Sequence, residues 1–388
     1  MSTSSKMKLF LSWLFLLTIV GATCEGMARI ALRVSLPGWE KTRQLMSGEV
    51  VPDPTYQMSV SQAYLLYIPS PSYADAAGQQ HNSQGYRGKA VAFRRTPGVA
   101  RILCIGGSTT YGWGTPRAED AYPAQLERIL AQDLPPGIKG VEVINAGIPF
   151  GTTAENLTHY HFKFHYFRPD IVVINPGGND AESMVNYDFY HPDYSHYRRA
   201  LQLPPPLPPL GRLLIKSRFI AVLLIPLVHG DTPAADAFVK KDRLPPLAQW
   251  YPLPPGETRQ ERAQKIPDDE IAYKHNLESL LDEIERDGAK ALLVPFRFVD
   301  YTKYRPEMGG PEAMEREERL LKGLAAERKL PVAPFPASVI SPGNWTDTCH
   351  YNAAGSREKA AHIAPYVREI LAKLGSVPVG SPVVAPRD

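Results

Sequence analysis

Ala100-Arg-Ile-Leu-Cys-Ile-Gly-Gly-Ser-Thr-Thr-Tyr-Gly112 reads as a buried strand that runs straight into a sharp turn. The apolar run Ala100–Ile105 is of strand length, and the two glycines after it let the backbone bend so that Ser108 stands at a helix start with its amide facing a cleft. Further runs of the same kind follow at Val141–Ala146, Asp170–Asn175, Ala289–Pro295 and Leu330–Phe335. They are short, often rich in Val and Ile, and mostly end in Gly, Pro or Asn. Helical periodicity separates them at Tyr122–Gln132, Thr153–Phe167, Ile271–Asp287, Pro311–Lys329 and Ala353–Lys373. Strands that alternate with helices demand crossover connections and a parallel sheet covered on both faces. The expected fold is a three-layer α/β/α doubly wound sandwich on a five-stranded parallel sheet, preceded by an N-terminal membrane helix.

Working outward, Lys6 and Lys8 precede an apolar run from Leu9 to Thr23 whose pattern continues to Leu32. This is the layout of a signal sequence or uncleaved anchor. Val20-x-Ala22 offers a cleavage site, and Glu25, Arg29 and Arg33 fall where an outer interface would lie. The basic residues before the run keep the tail in the cytoplasm and place the rest outside, although Arg29 and Arg33 pull the other way. The expected organisation is an anchor at 1–36, a juxtamembrane stretch at 37–99 that packs on the domain, a catalytic domain at 100–375 and a tail at 376–388. An insertion at 181–267 carries proline clusters at Pro204–Pro209 and Pro245–Pro255, expected as extended surface segments. Between them Leu213–Val228 is apolar but holds Lys216, Arg218 and Pro226, which suits a short packed helix or a lid better than a second span.

The chemistry-bearing residues fall where strands end, which is where reactive groups gather in parallel sheets. Ser108 follows the first strand. Asn145-Ala-Gly-Ile-Pro-Phe-Gly151 follows the second, Gly177-Gly-Asn-Asp180 the third, and Asp347-Thr-Cys-His350 precedes the last helix. A serine hydroxyl needs an imidazole to take its proton, and the imidazole needs a third group to fix its tautomer. The spacing of three in Asp347-x-x-His350 lets the carboxylate reach one ring nitrogen and leaves the other for Ser108. Asn179 can direct an amide donor into the cleft as an oxyanion site requires, while Asp180 ties down the loop. Singly, each block is ordinary: a turn, a helix cap, a surface histidine. Their conjunction after successive elements of one sheet is not.

Together the Gly-Gly-Ser, Asn-x-Gly plus Gly, Gly-x-Asn-Asp and Asp-x-x-His blocks resemble those of the SGNH (GDSL-like) hydrolases, over roughly Asn82 to Lys373. The resemblance implies that Ser108 is the nucleophile, His350 the general base and Asp347 its orienting acid. It implies oxyanion donors at Asn179, the Ser108 amide and a second-block amide, assigned to Gly151 with Phe150 as its rival. Gly107 stands where the family usually has Asp, and the second block reads Pro149-Phe-Gly-Thr where relatives more often have Pro-Gly. Asn82-Ser-Gln-Gly-Tyr-Arg87 and the N-terminal anchor look like a membrane-anchored bacterial subgroup, which implies an envelope location.

Composition narrows the rest. The chain has 388 residues, 44% hydrophobic and 21% charged, with a net charge of +3 and no basic run, so nucleic acid is not an expected partner. Cys24, Cys104 and Cys349 lack metal-site spacing; Cys104 lies in a buried strand, which favours free thiols. His161 and His165 share a helix face beside His159, but no matching ligand accompanies them, and packing or surface roles are expected. No metal or organic cofactor is expected. The sequence therefore points to a serine esterase or deacylase acting on an acylated small molecule or on envelope glycan or glycolipid O-acyl groups. An O-acyltransferase using the same residues, or a non-catalytic glycan-binding protein, are the rivals. Protein partners, acyl length and oligomeric state are not legible.

Overall fold

A computed structural model describes residues 3–31, 58–185 (except 63, 72 and 75–79), 265–375 (except 307–308) and the single positions 194, 217, 219, 256 and 261. The proline clusters, most of Leu213–Val228 and the tail lie outside the described residues. The chain clusters into two compact units, Met1–Met58 with Gln202–Pro246 and Ser59–Leu201 with Leu247–Asp388.

In the first unit, α1 (Thr3–Ala31) is a 29-residue helix whose large apolar side chains, from Met7 to Val20 and at Met27 and Ile30, are exposed. Its span Ser5–Ile30 covers 26 residues, about 39 Å of rise, longer than the roughly 30 Å hydrocarbon core of a bilayer. It is the one helix among the described residues long and apolar enough to cross a membrane or serve as a signal sequence. Glu25 near its end pairs with Arg29 at 2.8 Å and accepts hydrogen bonds from the Ser217 hydroxyl (2.8 Å) and the Phe219 amide (3.0 Å).

The second unit is built on a parallel sheet. After an antiparallel hairpin of β1 (Ser59–Gln62) and β2 (Leu65–Pro69), the chain forms β3 (Val99–Gly106), β4 (Gly140–Gly147), β5 (Ile171–Asn175) and β6 (Lys290–Leu293), in the order β4-β3-β5-β6. Side chains alternate across the sheet as period-2 geometry requires. Ile102, Cys104, Val141, Val143 and Val173 face one layer, made by α3 (Tyr122–Ala131) and α8 (Ala353–Gly375). Leu103, Ile105, Ile144, Val172 and Ile174 face the other, made by α4 (Thr153–Phe162), α6 (Ala272–Arg286) and α7 (Gly310–Arg328). This is the expected three-layer sandwich, with helix positions within a residue or two of those read from periodicity, except that the run to Phe167 breaks after Phe162 into a 3-10 turn.

The fifth strand is a correction. Leu330–Phe335 contributes a single parallel bridge, Val332 to Leu293, so the sheet has four full strands. Two ladder bonds form, Leu293 N–H to Pro331 O (3.1 Å) and Ala333 N–H to Leu293 O (2.9 Å). Pro331, Pro334 and Pro336 supply no further donors, and proline confines a segment to a sheet edge.

Register places the site. Gly106 at the end of β3 pairs with Gly147 of β4 on one side and with Asn175 of β5 on the other. The first three sequence blocks therefore leave the sheet at one level.

Candidate active site

Ser108 opens α2 (Ser108–Tyr111), a single turn with Gly107 as its N-cap. Its N–H is one of the first-turn amides that no intrahelical carbonyl can satisfy, so it is available to an oxyanion. The turn is held from three directions. The Asn145 side chain donates to Tyr111 O (3.1 Å), and fully buried Arg87 donates to Gly112 O (2.5 Å) and Thr115 O (2.7 Å) with its guanidinium 5.0 Å from the Tyr111 ring centroid. His81 Nε2 lies 2.8 Å from the Tyr111 hydroxyl. A Cβ on Gly147 would come within 2.1 Å of the Tyr111 amide nitrogen, so β4 can approach α2 this closely only with glycine there. A Cβ on Gly107 would sit 3.2 Å from Asn179 Nδ2 and 3.3 Å from Gly151 O, which makes the departure from Asp at this position consistent with a tight neighbouring loop.

Ser108 Oγ lies 2.7 Å from His350 Nε2, and His350 Nδ1 lies 2.6 Å from Asp347 Oδ2. An ionised carboxylate can only accept, so Nδ1 carries the proton and Nε2 presents its lone pair to the serine hydroxyl. Asp347 is shaped by its own loop: Oδ1 accepts from the Cys349 and His350 amides, each at 2.9 Å. Burial works against its charge, but those two amides and the His350 ring together hold its pKa below the ordinary carboxylate value. Trp113, whose N–H donates to Ser108 O (3.0 Å) and closes the turn, stands 6.4 Å from the His350 ring centroid and 6.2 Å from that of Phe150.

Asn179 begins α5 (Asn179–Val185) and donates from Nδ2 to Gly151 O at 2.9 Å, leaving its second amide hydrogen for another acceptor. The Gly151 amide, expected to point at the oxyanion, instead donates to Ile148 O at 2.9 Å and closes a turn. Gly151 meets the site through its carbonyl, because Phe150 before it adopts a left-handed backbone (φ 61°) that turns the peptide over. Asp180, buried, receives Thr153 N–H (3.1 Å), the Thr153 hydroxyl (2.6 Å) and the Tyr194 hydroxyl (2.5 Å), and so ties the second block to the third. Glu317 of α7 accepts from the Gly178 amide at 3.2 Å; burial first, then the nearby Asp180 charge, push its pKa well up.

The model of the GDSL-like lipase/acylhydrolase family matches residues 104–358, which spans all four blocks. The chain belongs to this family. It is thereby an ester-hydrolysing enzyme. Among solved structures it is similar to the lipase/acylhydrolase from Enterococcus faecalis (19% identity, 70% of this chain and 96% of that one, TM-score 0.41). It is also similar to a GDSL-like lipase from Bacteroides thetaiotaomicron (14%, 72% and 92%, 0.40) and to a carbohydrate acetylesterase family member from Sinorhizobium meliloti (18%, 70% and 99%, 0.37). No curated protein matches the chain.

Among the described residues, one group of side chains with metal-ligand chemistry coincides with the Asp347–His350 loop. Asp347, Cys349 and His350 bring their ligand atoms within 4.8 Å of one another. The Cys349 sulfur is nearly equidistant from His350 Nδ1 (3.6 Å) and Nε2 (3.9 Å) and so lies beside the ring as a packing contact. Its thiol pKa is pushed up to about 12 by burial and then by the Asp347 charge, which disfavours the thiolate a metal needs. All three cysteines are free thiols. His161 Nδ1 pairs with Glu283 at 2.7 Å and His165 Nδ1 lies 3.8 Å from Asp287, while His159 is buried in the core. The supports that Arg87, His81 and Asn145 give the Ser108 turn are not legible in the sequence, where Arg87 and Asn145 stand only as members of Asn82-Ser-Gln-Gly-Tyr-Arg87 and Asn145-x-Gly147.

Proposed function

We propose that the acylhydrolase is a serine esterase or deacylase that works through an acyl-enzyme. Ser108 Oγ attacks the ester carbonyl carbon while His350 Nε2 takes its proton. The carbonyl oxygen becomes an oxyanion that the Ser108 amide and Asn179 Nδ2 receive. The carbon–alkoxide bond then breaks, and His350 returns the proton to the departing alcohol. Water repeats the sequence on the acyl-enzyme, freeing the carboxylic acid and restoring Ser108. The observation that carries this reading is the relay of 2.7 Å from Ser108 to His350 and 2.6 Å from His350 to Asp347.

The substrate class proposed is an O-acylated glycan or glycolipid of the cell envelope, with the catalytic domain outside the membrane that α1 crosses. Lys6 and Lys8 before the apolar run support that orientation. The half-exposed Trp113 and Phe150 beside the triad support a ligand with flat apolar faces. The test is to offer acetylated glycans alone, and free glycans with an acetyl donor, to the full chain and to Ser108→Ala. Release of acetate that requires Ser108 is expected. Transfer to the glycan exceeding hydrolysis would replace the esterase by an acyltransferase, and binding without turnover would replace both by a lectin-like role.

A further inference from the structure

Lys359 lies two turns into α8, is completely buried and has no step in the hydrolysis just described. Its Nζ donates to Asn175 Oδ1 at 2.7 Å and sits 4.5, 5.2 and 5.3 Å from the ring centroids of Tyr122, Phe335 and Tyr351. A buried amine is expensive, and a methionine would fill the same space without that cost. Burial lowers the Lys359 pKa to about 7, the mark of that expense.

Two of the groups that the amine touches, Asn175 and Tyr351, adjoin the site. Asn175 is the last residue of β5, paired with Gly106 and leading directly into Gly177-Gly-Asn179. The same Oδ1 accepts a second hydrogen bond from the hydroxyl of Thr109, the neighbour of Ser108, at 3.2 Å, while Nδ2 donates to Val294 O at 2.9 Å and fixes the carboxamide's orientation. Tyr351 of the aromatic cage is the residue after His350, and α8 begins two residues later. One carboxamide oxygen thus joins the helix that follows the base to the turn that carries the nucleophile.

We propose that Lys359 is a positioning residue for hydrolysis. Through Asn175 it locks α8 and the His350 loop to the Ser108 turn, and so sets the distance between Ser108 Oγ and His350 Nε2. The inference rests on the triad reading above. A displacement of about 1 Å between reacting groups can lower a rate by about 100-fold, so a modest loosening of this lock has a measurable effect.

The experiment compares the full chain with Lys359→Met, Thr109→Val, the double variant and Ser108→Ala, using p-nitrophenyl acetate turnover, labelling rate by a fluorophosphonate, and thermal midpoint. Lys359→Met keeps the bulk and removes the donor. Its kcat and labelling rate are expected to fall about 10- to 100-fold with KM within about twofold. The double variant is expected to be no slower than the slower single, because both act through one carboxamide. A Lys359→Met enzyme that loses thermal stability but keeps kcat within about twofold below its midpoint would make the residue merely structural and overturn the proposal. Multiplicative losses in the double variant would overturn the shared route. Should Lys359→Met not fold, Thr109→Val decides alone, and an unchanged kcat there sinks the idea. Turnover that survives in Ser108→Ala would instead overturn the triad, so the two failures are separable.

Discussion

At the residue scale the relay makes unequal demands on its members. If the proposed mechanism holds, Ser108→Ala removes the attacking atom and is expected to lower kcat by at least about 10³-fold, while Asp347→Asn leaves the loop in place but releases the tautomer, for a loss on the order of 10² to 10⁴. Asn179→Ala removes one oxyanion donor and is expected to cost about 10²- to 10³-fold in kcat with little change in KM. Steady-state kinetics on p-nitrophenyl acetate read all three. A different residue is expected to contribute to acid stability. His159 is buried on α4 against Phe164, and burial, with the nearby Lys163 charge, lowers its pKa to about 4. An unfolded histidine titrates near 6.5, so the folded state is favoured fully above that pH and loses the contribution as pH falls from about 6.5 to about 4, by roughly 3 kcal/mol. Urea unfolding of the parent should show that slope, and His159→Phe should flatten it. An unchanged slope in the variant would assign the acid sensitivity to other groups.

At the element scale the site depends on how closely β4 approaches α2. Asn145 and Gly147 serve that approach from one strand, the first by bonding Tyr111 O and the second by having no side chain. Gly147→Ala would force backbone apart at a 2.1 Å contact. It is therefore expected to lower both the thermal midpoint and kcat, and a variant unaffected in both would show that α2 has more freedom than this packing allows. The helix α4 shows the converse, a local signal strong enough to read directly. Thr152 and Glu155 form a capping box, with Glu155 accepting from the Thr152 amide at 2.7 Å, and the helix starts at the residue after Thr152. Leu330–Phe335 shows where local reading overreached. Its apolar content suits a strand, but its prolines leave too few donors to extend a ladder.

At the scale of the whole molecule the apolar α1 and the acylhydrolase unit are separable in composition. Removing residues 1–36 is expected to release the protein from membranes into the soluble fraction while p-nitrophenyl acetate turnover is kept; fractionation and assay together check it. Loss of turnover in a folded, soluble protein would mean that the N-terminal segment contributes to the site.

The sequence by itself determined the alternation of strands and helices, the chain positions of the four blocks, and the apolar leader. These are properties of periodicity and of residue type along a line, and short-range physics carries them. Tertiary structure alone decided which way groups point. The Gly151 amide turns away because Phe150 takes a left-handed conformation, which no spacing reveals. Cys349 falls beside the His350 ring because the Asp347 loop is closed by hydrogen bonds from the Cys349 and His350 amides to the Asp347 carboxylate. Arg87 and Lys359 look in sequence like ordinary surface cations, yet each is buried, because the carbonyls around Gly112 and the Asn175 carboxamide offer partners that exist only once distant segments have packed. A buried polar group is specified by what meets it in space, and that meeting is a product of the fold.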